Sequence, residues 1–102
     1  MKDVKFTAEG TYVGKINDTI VNKGDGNNVS LVDFVINNEI ADSRGTIKEQ
    51  PLKITAYNKN AGLLDAVRVG DKIVVSGYVR GKYNMNKDEY WTNLVMKTIR
   101  LV

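Results

Sequence analysis

The last third of the chain has the clearest alternation of apolar and polar positions. Over residues 73–83, apolar residues and glycine take every second position, and the other parity carries Val74, Ser76, Tyr78, Arg80 and Lys82. A period of two predicts a strand with one buried face and one solvated face. A polar run at 84–89 interrupts the pattern. Alternation resumes over 90–102, with one face carrying Trp91, Asn93, Val95 and Lys97. These two strands form a predicted antiparallel hairpin, called the arm here.

Weaker alternation predicts two strands near the N-terminus. The first covers residues 4–16 and bends or bulges at Gly10 or Gly14, since glycine inside a strand often marks a bulge. The second covers 29–37, and the residues predicted to face inward share one parity: Val32, Phe34 and Ile36. Asp33 would then point outward. If the sheet closes into a barrel, Tyr12 and Phe6 are predicted to pack at its mouth or at a subunit interface.

A third strand and a short helix complete the pattern. Residues 52–58 place Leu52, Ile54 and Ala56 on one face and Lys53, Thr55 and Tyr57 on the other. In residues 59–68 the apolar spacing changes to three, which predicts about two turns of helix ended by Gly70. Asn58 or Asn60 is a candidate N-cap.

Polar segments separate the predicted strands. Residues 17–28 are rich in Asn, Asp and Gly, with a strong turn signal at 23–28, and we predict a surface loop there rather than a calcium site. Residues 38–51 form a second predicted loop, with a turn at Gly45 and Pro51 closing it.

The order of three strands, a short helix and two strands is that of a five-stranded barrel with the oligonucleotide/oligosaccharide-binding (OB) fold. The helix candidate falls between strands three and four, where the helix of an OB fold closes one end of the barrel. Closure of the sheet also explains why each strand shows one apolar face. We therefore predict an all-β OB barrel over residues 1–102, as one domain.

Composition narrows the function classes. The chain has no cysteine and no histidine, which removes thiol nucleophiles, imidazole bases and the usual sulfur and nitrogen metal ligands. Its twelve carboxylates are scattered, mostly in predicted loops, so we expect no enzyme, no metal and no cofactor. No membrane span or signal peptide is apparent, and we expect a cytoplasmic protein without a small-molecule substrate.

Four stretches resemble the single-stranded DNA-binding proteins of bacteria and phages. They are VDFVI (32–36), ITAYNKNA (54–61), GDKIVVSGYV (70–79) and YWTNLV (90–95). In that family the third strand ends in an aromatic residue followed by a small residue and K-x-A, and a G-x-x-V-x-V-x-G strand follows the helix. The resemblance implies an OB fold, binding of single-stranded DNA in replication, recombination or repair, and assembly into dimers or tetramers, with residues 1–10 as a candidate pairing edge.

Two departures from the family change the expectation. Bacterial members usually continue into a flexible tail with an acidic tip that recruits other proteins, whereas this sequence stops at Val102. Recruitment through such a tail is therefore not expected. The connection in the arm, residues 84–89, is also short, so we expect less DNA to wrap around it.

Positive charge and aromatic rings coincide on the predicted outer face. Residues 72–100 carry six basic and two acidic side chains, a net charge of +4 against +3 for the whole chain. Unpaired bases stack on flat rings, and cations hold the phosphates. The candidate stacking rings are Tyr57, Tyr78, Tyr83 and Trp91. The candidate phosphate partners are Lys53, Lys59, Arg80, Lys82, Lys87 and Lys97.

Two other binding functions stay open at this point. An OB domain can pair its sheet edge with a strand of a partner protein. It can also bind structured RNA through helix shape and 2′-hydroxyl contacts.

Overall fold

Five strands and one short helical segment make up the computed structural model, which describes residues 4–22, 26 and 28–102. The strands are β1 (Val4–Asn22), β2 (Asn28–Ala41), β3 (Ile47–Tyr57), β4 (Lys72–Asn84) and β5 (Glu89–Leu101). Between β3 and β4 lie helix α1 (Lys59–Gly62) and a 3-10 turn (Leu63–Ala66).

The strands close into a barrel in the order β1-β2-β3-β5-β4. β1 takes part twice: Val4 to Thr11 pair with β4, and Thr11 to Asn22 pair with β2. β3 meets β5 in parallel, through the pair of Thr55 and Val95. All other neighbouring strands are antiparallel. The predicted all-β OB barrel with a helix between strands three and four is confirmed.

The barrel interior holds the predicted apolar faces. Its fully buried large side chains are Phe34, Ile36, Ile54, Leu64, Ile73, Val75 and Met96. Tyr12 is also buried, with its ring centroid 6.0 Å from that of Phe34. Tyr12 was predicted to pack at the barrel mouth or a subunit interface, and its burial in the core cluster of one chain rules out the interface. Phe6 is partly buried against the same core.

Both long predicted loops are shorter than expected. β1 continues to Asn22, and β2 and β3 extend over Asn38–Ala41 and Ile47–Pro51, with Pro51 inside β3 opposite Asn37. Residues 17–20, 38–41 and 47–51 are solvent-exposed. With no face against the core, these extensions lack the alternation that marks a half-buried strand. The predicted turn at 23–28 falls largely outside the described residues.

The hairpin between β2 and β3 turns as predicted around Gly45, whose φ is 78°. The Asp42 carboxylate accepts backbone N–H bonds from Arg44 and Thr46, both at 2.9 Å. An acidic side chain that bonds the backbone ahead of it is a common way to hold a tight turn.

The helical segment has about the two turns predicted, but only the first is α-helical. α1 is a single turn that continues as a 3-10 turn, and it buries Ala61 and Leu64. Asn58 occupies the N-cap position but makes no capping bond to the helix; its side-chain oxygen accepts from the Ser30 backbone N–H at 3.2 Å. Asn58 therefore ties the start of the helix to β2. Within the described residues, no helix has the length and apolarity needed to cross a membrane.

Two glycines mark irregular points of the sheet. The register of β1 against β2 shifts between Tyr12 and Gly14, and Gly14 has a φ of 136°, so the bulge lies at Gly14 rather than Gly10. The register of β4 against β5 shifts at Gly77. A Cβ atom at Gly77 would overlap the Val95 carbonyl oxygen and approach the Lys97 backbone nitrogen to 2.9 Å. Glycine at this position lets the backbone of β5 approach β4 closely.

Replacing Gly77 by alanine should destabilise the protein strongly. The added methyl group would collide with the backbone of β5, and overpacking of a rigid site costs about 1–3 kcal/mol or more in the free energy of unfolding. Urea denaturation followed by circular dichroism measures this. Gly81→Ala is the matched control, because no atom lies within 4 Å of a Cβ at Gly81 on the same strand. Equal stability of the two variants would contradict the close approach.

Candidate nucleic-acid interface

The outer faces of β3, β5 and β4 form one surface. Thr55 pairs with Val95, and Val95 pairs with Tyr78. Residues paired across strands point to the same side of a sheet. Tyr57 shares the parity of Thr55 and lies two residues beyond it. The two tyrosines Tyr57 and Tyr78 are therefore both on the outer surface, and both are half-buried there.

A groove of about 630 Å³ lies on this surface. It contains five of the ten residues predicted from the sequence: Lys53, Tyr57, Arg80, Lys82 and Trp91. The remaining lining residues are Leu31, Asp33, Thr55, Asn84, Thr92 and Asn93. The groove is partly open to solvent and carries three basic side chains and two rings.

The pairing of β4 with β5 determines which ring faces this groove. Lys82 lies opposite Trp91, and Tyr83 lies opposite Tyr90. Trp91 is 58% exposed and lines the groove, while Tyr90, on the other face of β5, is 82% exposed. The predicted outward orientation of Trp91 is thus the one the structure has. Both rings are accessible because this part of the arm extends past the barrel.

Tyr78 lies beside a second, smaller groove of about 360 Å³. Lys97 lines the same groove. The Arg80 guanidinium carbon is 5.6 Å from the centroid of the Tyr78 ring, within cation–π range, and its Nη2 is 3.5 Å from the Tyr78 hydroxyl. Arg80 lines the first groove and contacts the ring of the second. The two grooves are therefore adjacent through this pair.

Three predicted residues lie outside both grooves. Tyr83 and Lys87 are at the end of the arm, and Lys59 is at the start of α1. The Tyr83 hydroxyl donates to Asp88 at 2.7 Å, and its ring centroid is 4.7 Å from that of Tyr90. The hydrogen bond to Asp88 raises the pKa of Tyr83 above its ordinary value of 10.0, because it favours the protonated phenol that donates it, and desolvation adds to the shift. The two rings form an exposed aromatic pair at the arm tip.

The floor of the first groove is polar, a feature that the sequence analysis did not assign. Thr55 is 2% exposed, and its hydroxyl donates to Asp33 Oδ1 at 2.6 Å. The same hydroxyl lies 3.1 Å from Asn93 Oδ1. These side chains come from β3, β2 and β5. The sequence held one signal for this network: all three residues occupy predicted outward positions. Thr55 and Asn93 are also next to core residues in the sequence, Thr55 to Ile54 and Asn93 to Leu94.

Negative charge concentrates on another part of the surface. A cleft of about 470 Å³, between the first half of β1 and the β2–β3 hairpin, is lined by Glu9, Glu39 and Glu49 together with Lys72. Glu39 and Glu49 are directly opposite each other across the strands. In the described part of the chain, no cluster of His, Cys, Asp or Glu is arranged to hold a metal ion. The acidic cleft and the basic groove have separate linings.

Comparison with known proteins identifies the fold. No family model matches the sequence, and no curated protein matches it. Among solved structures, the protein priB from Ralstonia solanacearum superposes with a TM-score of 0.67 at 13% identity, covering 100% of both chains. The chain has the OB fold. A small single-stranded DNA-binding protein from Streptomyces coelicolor superposes on this OB domain with a TM-score of 0.57 at 13% identity, covering 100% of this chain and 96% of that one.

Substituting Asp88 by asparagine should lower the pKa of Tyr83 toward its ordinary value. A neutral amide oxygen accepts a weaker hydrogen bond from the phenol than a carboxylate does, so the protonated form of Tyr83 is favoured less. Carbon NMR of the tyrosine ring as a function of pH measures this pKa. Glu89→Gln is the control, because it removes a neighbouring charge without touching the hydrogen bond. An unchanged pKa in the Asp88 variant would show that the contact is absent in solution.

Proposed function

We propose that this OB domain binds single-stranded DNA with little regard to sequence, by stacking bases on its rings and holding phosphates with Lys and Arg. The observation that carries the proposal is the groove in which Tyr57 and Trp91 lie together with Lys53, Arg80 and Lys82. The likeness in fold to a single-stranded DNA-binding protein supports it.

The rings supply selectivity for unpaired strands. A base in a duplex has both faces covered by its neighbours, whereas a base in a single strand can stack on a protein ring. Tyr57 and Trp91 are on either side of the groove floor, on β3 and β5. Each stacked base contributes about 1–3 kcal/mol, so two engaged rings supply several kcal/mol without reading base edges.

The basic side chains bind the DNA backbone, and their positions extend the proposed binding surface beyond the first groove. Lys53, Arg80 and Lys82 serve phosphates in the first groove. From Arg80 the strand continues to Tyr78 and Lys97 in the second groove. Tyr83 and Lys87 at the arm tip, and Lys59 next to Tyr57, provide further contacts for a longer strand.

This activity fits a role in DNA replication, recombination or repair, in the cytoplasm of a bacterial cell or a phage-infected host. In this role the protein acts by binding, as a homodimer or homotetramer, and needs no cofactor, metal or small-molecule substrate. The candidate pairing edge is residues 1–10, of which 1–3 lie outside the described residues. Residues 4–10 already pair with β4 along one side, so a subunit contact would use the other side.

Affinity for oligo-dT should fall steeply with salt. With about five phosphates neutralised, the slope of log affinity against log salt is about −3.5, a loss of about a hundredfold between 50 and 200 mM. Fluorescence of Trp91, the single tryptophan of the chain, reports binding inside the groove. A flat salt dependence would contradict the mechanism. A structured RNA hairpin that outcompetes oligo-dT in the same titration would favour the RNA-binding alternative.

Replacing either groove ring by leucine should weaken oligo-dT binding by about 5- to 150-fold, the equivalent of one lost base stack. Tyr57→Leu and Trp91→Leu keep an apolar side chain and remove the ring. Anisotropy of a labelled oligonucleotide measures the affinity without using Trp91.

The matched control is Tyr90→Leu, which removes an exposed ring one residue from Trp91 but outside the groove. Its affinity should stay within about twofold of the unmodified protein, well below the loss of one base stack. If the folded Tyr57 and Trp91 variants also bind as tightly as the unmodified protein, the stacking proposal is wrong. A protein-interaction module that uses its sheet edge would bind oligo-dT only weakly, in the unmodified protein and in all of these variants alike.

A further inference from the structure

Asp33 is an acidic residue in the middle of a basic groove. It lines the groove together with Lys53, Arg80 and Lys82. In the part of the chain that the structure describes, the recorded ion pairs all involve Lys15, and Asp33 takes part in none of them. A carboxylate that is not neutralised repels phosphate. The floor of the groove is therefore unsuited to the DNA backbone and suited to groups that donate hydrogen bonds.

A buried hydroxyl group holds the Asp33 carboxylate in position. The buried Thr55 hydroxyl donates to Asp33 Oδ1 at 2.6 Å, a short, charge-assisted bond. A hydroxyl has one hydrogen, so its 3.1 Å contact with Asn93 becomes a hydrogen bond only when the Asn93 amide turns its NH₂ group toward Thr55. An ionised carboxylate has about four acceptor positions, and Thr55 uses one of them. The others remain available to a ligand in the groove.

The groove rings bring base edges to this carboxylate. Tyr57 and Trp91 line the same cavity as Asp33, and a base stacked on either ring presents its Watson–Crick edge sideways. In single strands these edges are open to the protein. Guanine offers two adjacent donors there, N1–H and the N2 amino group, which match the two oxygens of a carboxylate. Thymine offers one N–H between two carbonyl oxygens, and a carboxylate repels both of these.

We propose that Asp33, held by Thr55, is a specificity-determining residue that gives the groove a preference for guanine over thymine. The inference rests on the proposed binding of single-stranded DNA and refines it. Stacking and phosphate contacts still form with every base. The carboxylate adds affinity for those bases whose edges donate hydrogen bonds.

The first test compares three oligonucleotides with the unmodified protein. One is an oligo-dT of about 16 nucleotides, the upper end of the range for one OB fold. In the others one central thymine is replaced by guanine or by hypoxanthine, which lacks the N2 amino group. The guanine oligonucleotide should bind about fivefold more tightly than oligo-dT, the lower end of the discrimination that a bidentate contact gives. The hypoxanthine oligonucleotide should lose most of that gain.

The second test assigns the preference to Asp33. Asp33→Asn keeps the shape and can still accept from Thr55, but it replaces one acceptor by a donor, so the guanine preference should disappear. The matched control is Glu39→Gln, which removes the same charge in the acidic cleft and should keep the preference. Comparing ratios of affinities cancels the general gain from removing a negative charge.

The possible outcomes distinguish failure of the guanine preference from failure of the proposed binding of single-stranded DNA. Equal binding of all three oligonucleotides overturns the guanine preference and leaves the binding function intact. A folded Asp33→Asn variant that keeps the preference overturns the role of Asp33. Failure to bind any of the oligonucleotides overturns the proposed function itself.

Discussion

The meeting of β3 and β5 is the contact on which the rest of the structure depends. The backbone pairing recorded there joins Thr55 and Val95, whereas the neighbouring hairpins pair over ten or more residues. The Thr55 side chain reinforces this narrow junction by reaching Asp33 on β2 and Asn93 on β5. If β3 and β5 separated, the barrel would open into a curved sheet and the core of Phe34, Ile54 and Met96 would be exposed to water.

The same junction creates the candidate binding surface. Tyr57 and Lys53 belong to one side of it, and Arg80, Lys82 and Trp91 belong to the other. None of these side chains is needed for the core, so strand closure places them together while leaving them accessible. The junction's buried hydroxyl also fixes a carboxylate in the groove floor. Stability and the proposed recognition of bases therefore both depend on Thr55, whereas the cations proposed to bind phosphate lie around it at positions that the core does not use.

Alternation in the sequence was enough to predict the barrel, its inward residues and the outward orientation of Lys53, Tyr57, Arg80 and Lys82. It failed for the strand extensions at 17–22, 38–41 and 47–51. Residues 17–20, 38–41 and 47–51 are exposed, and a strand without a buried face shows no apolar alternation. Alternation also could not assign the Thr55 network, since hydrogen bonds between β2, β3 and β5 depend on closure, which no local pattern encodes. The close approach at Gly77 could not be predicted either. A glycine in a strand indicates a bend or bulge, but it does not show that the Val95 carbonyl oxygen lies where a Cβ atom would be.

The central claim is that unpaired DNA occupies the outer face of β3, β5 and β4. Amide and indole NMR shifts of isotope-labelled protein, recorded as oligo-dT is added, test it most directly. DNA bound on this face should cause the largest changes at Tyr57, Arg80 and the Trp91 indole N–H, with little change at Glu39 and Glu49 on the acidic cleft. Changes centred on that cleft, with the Trp91 signal unmoved, would contradict it.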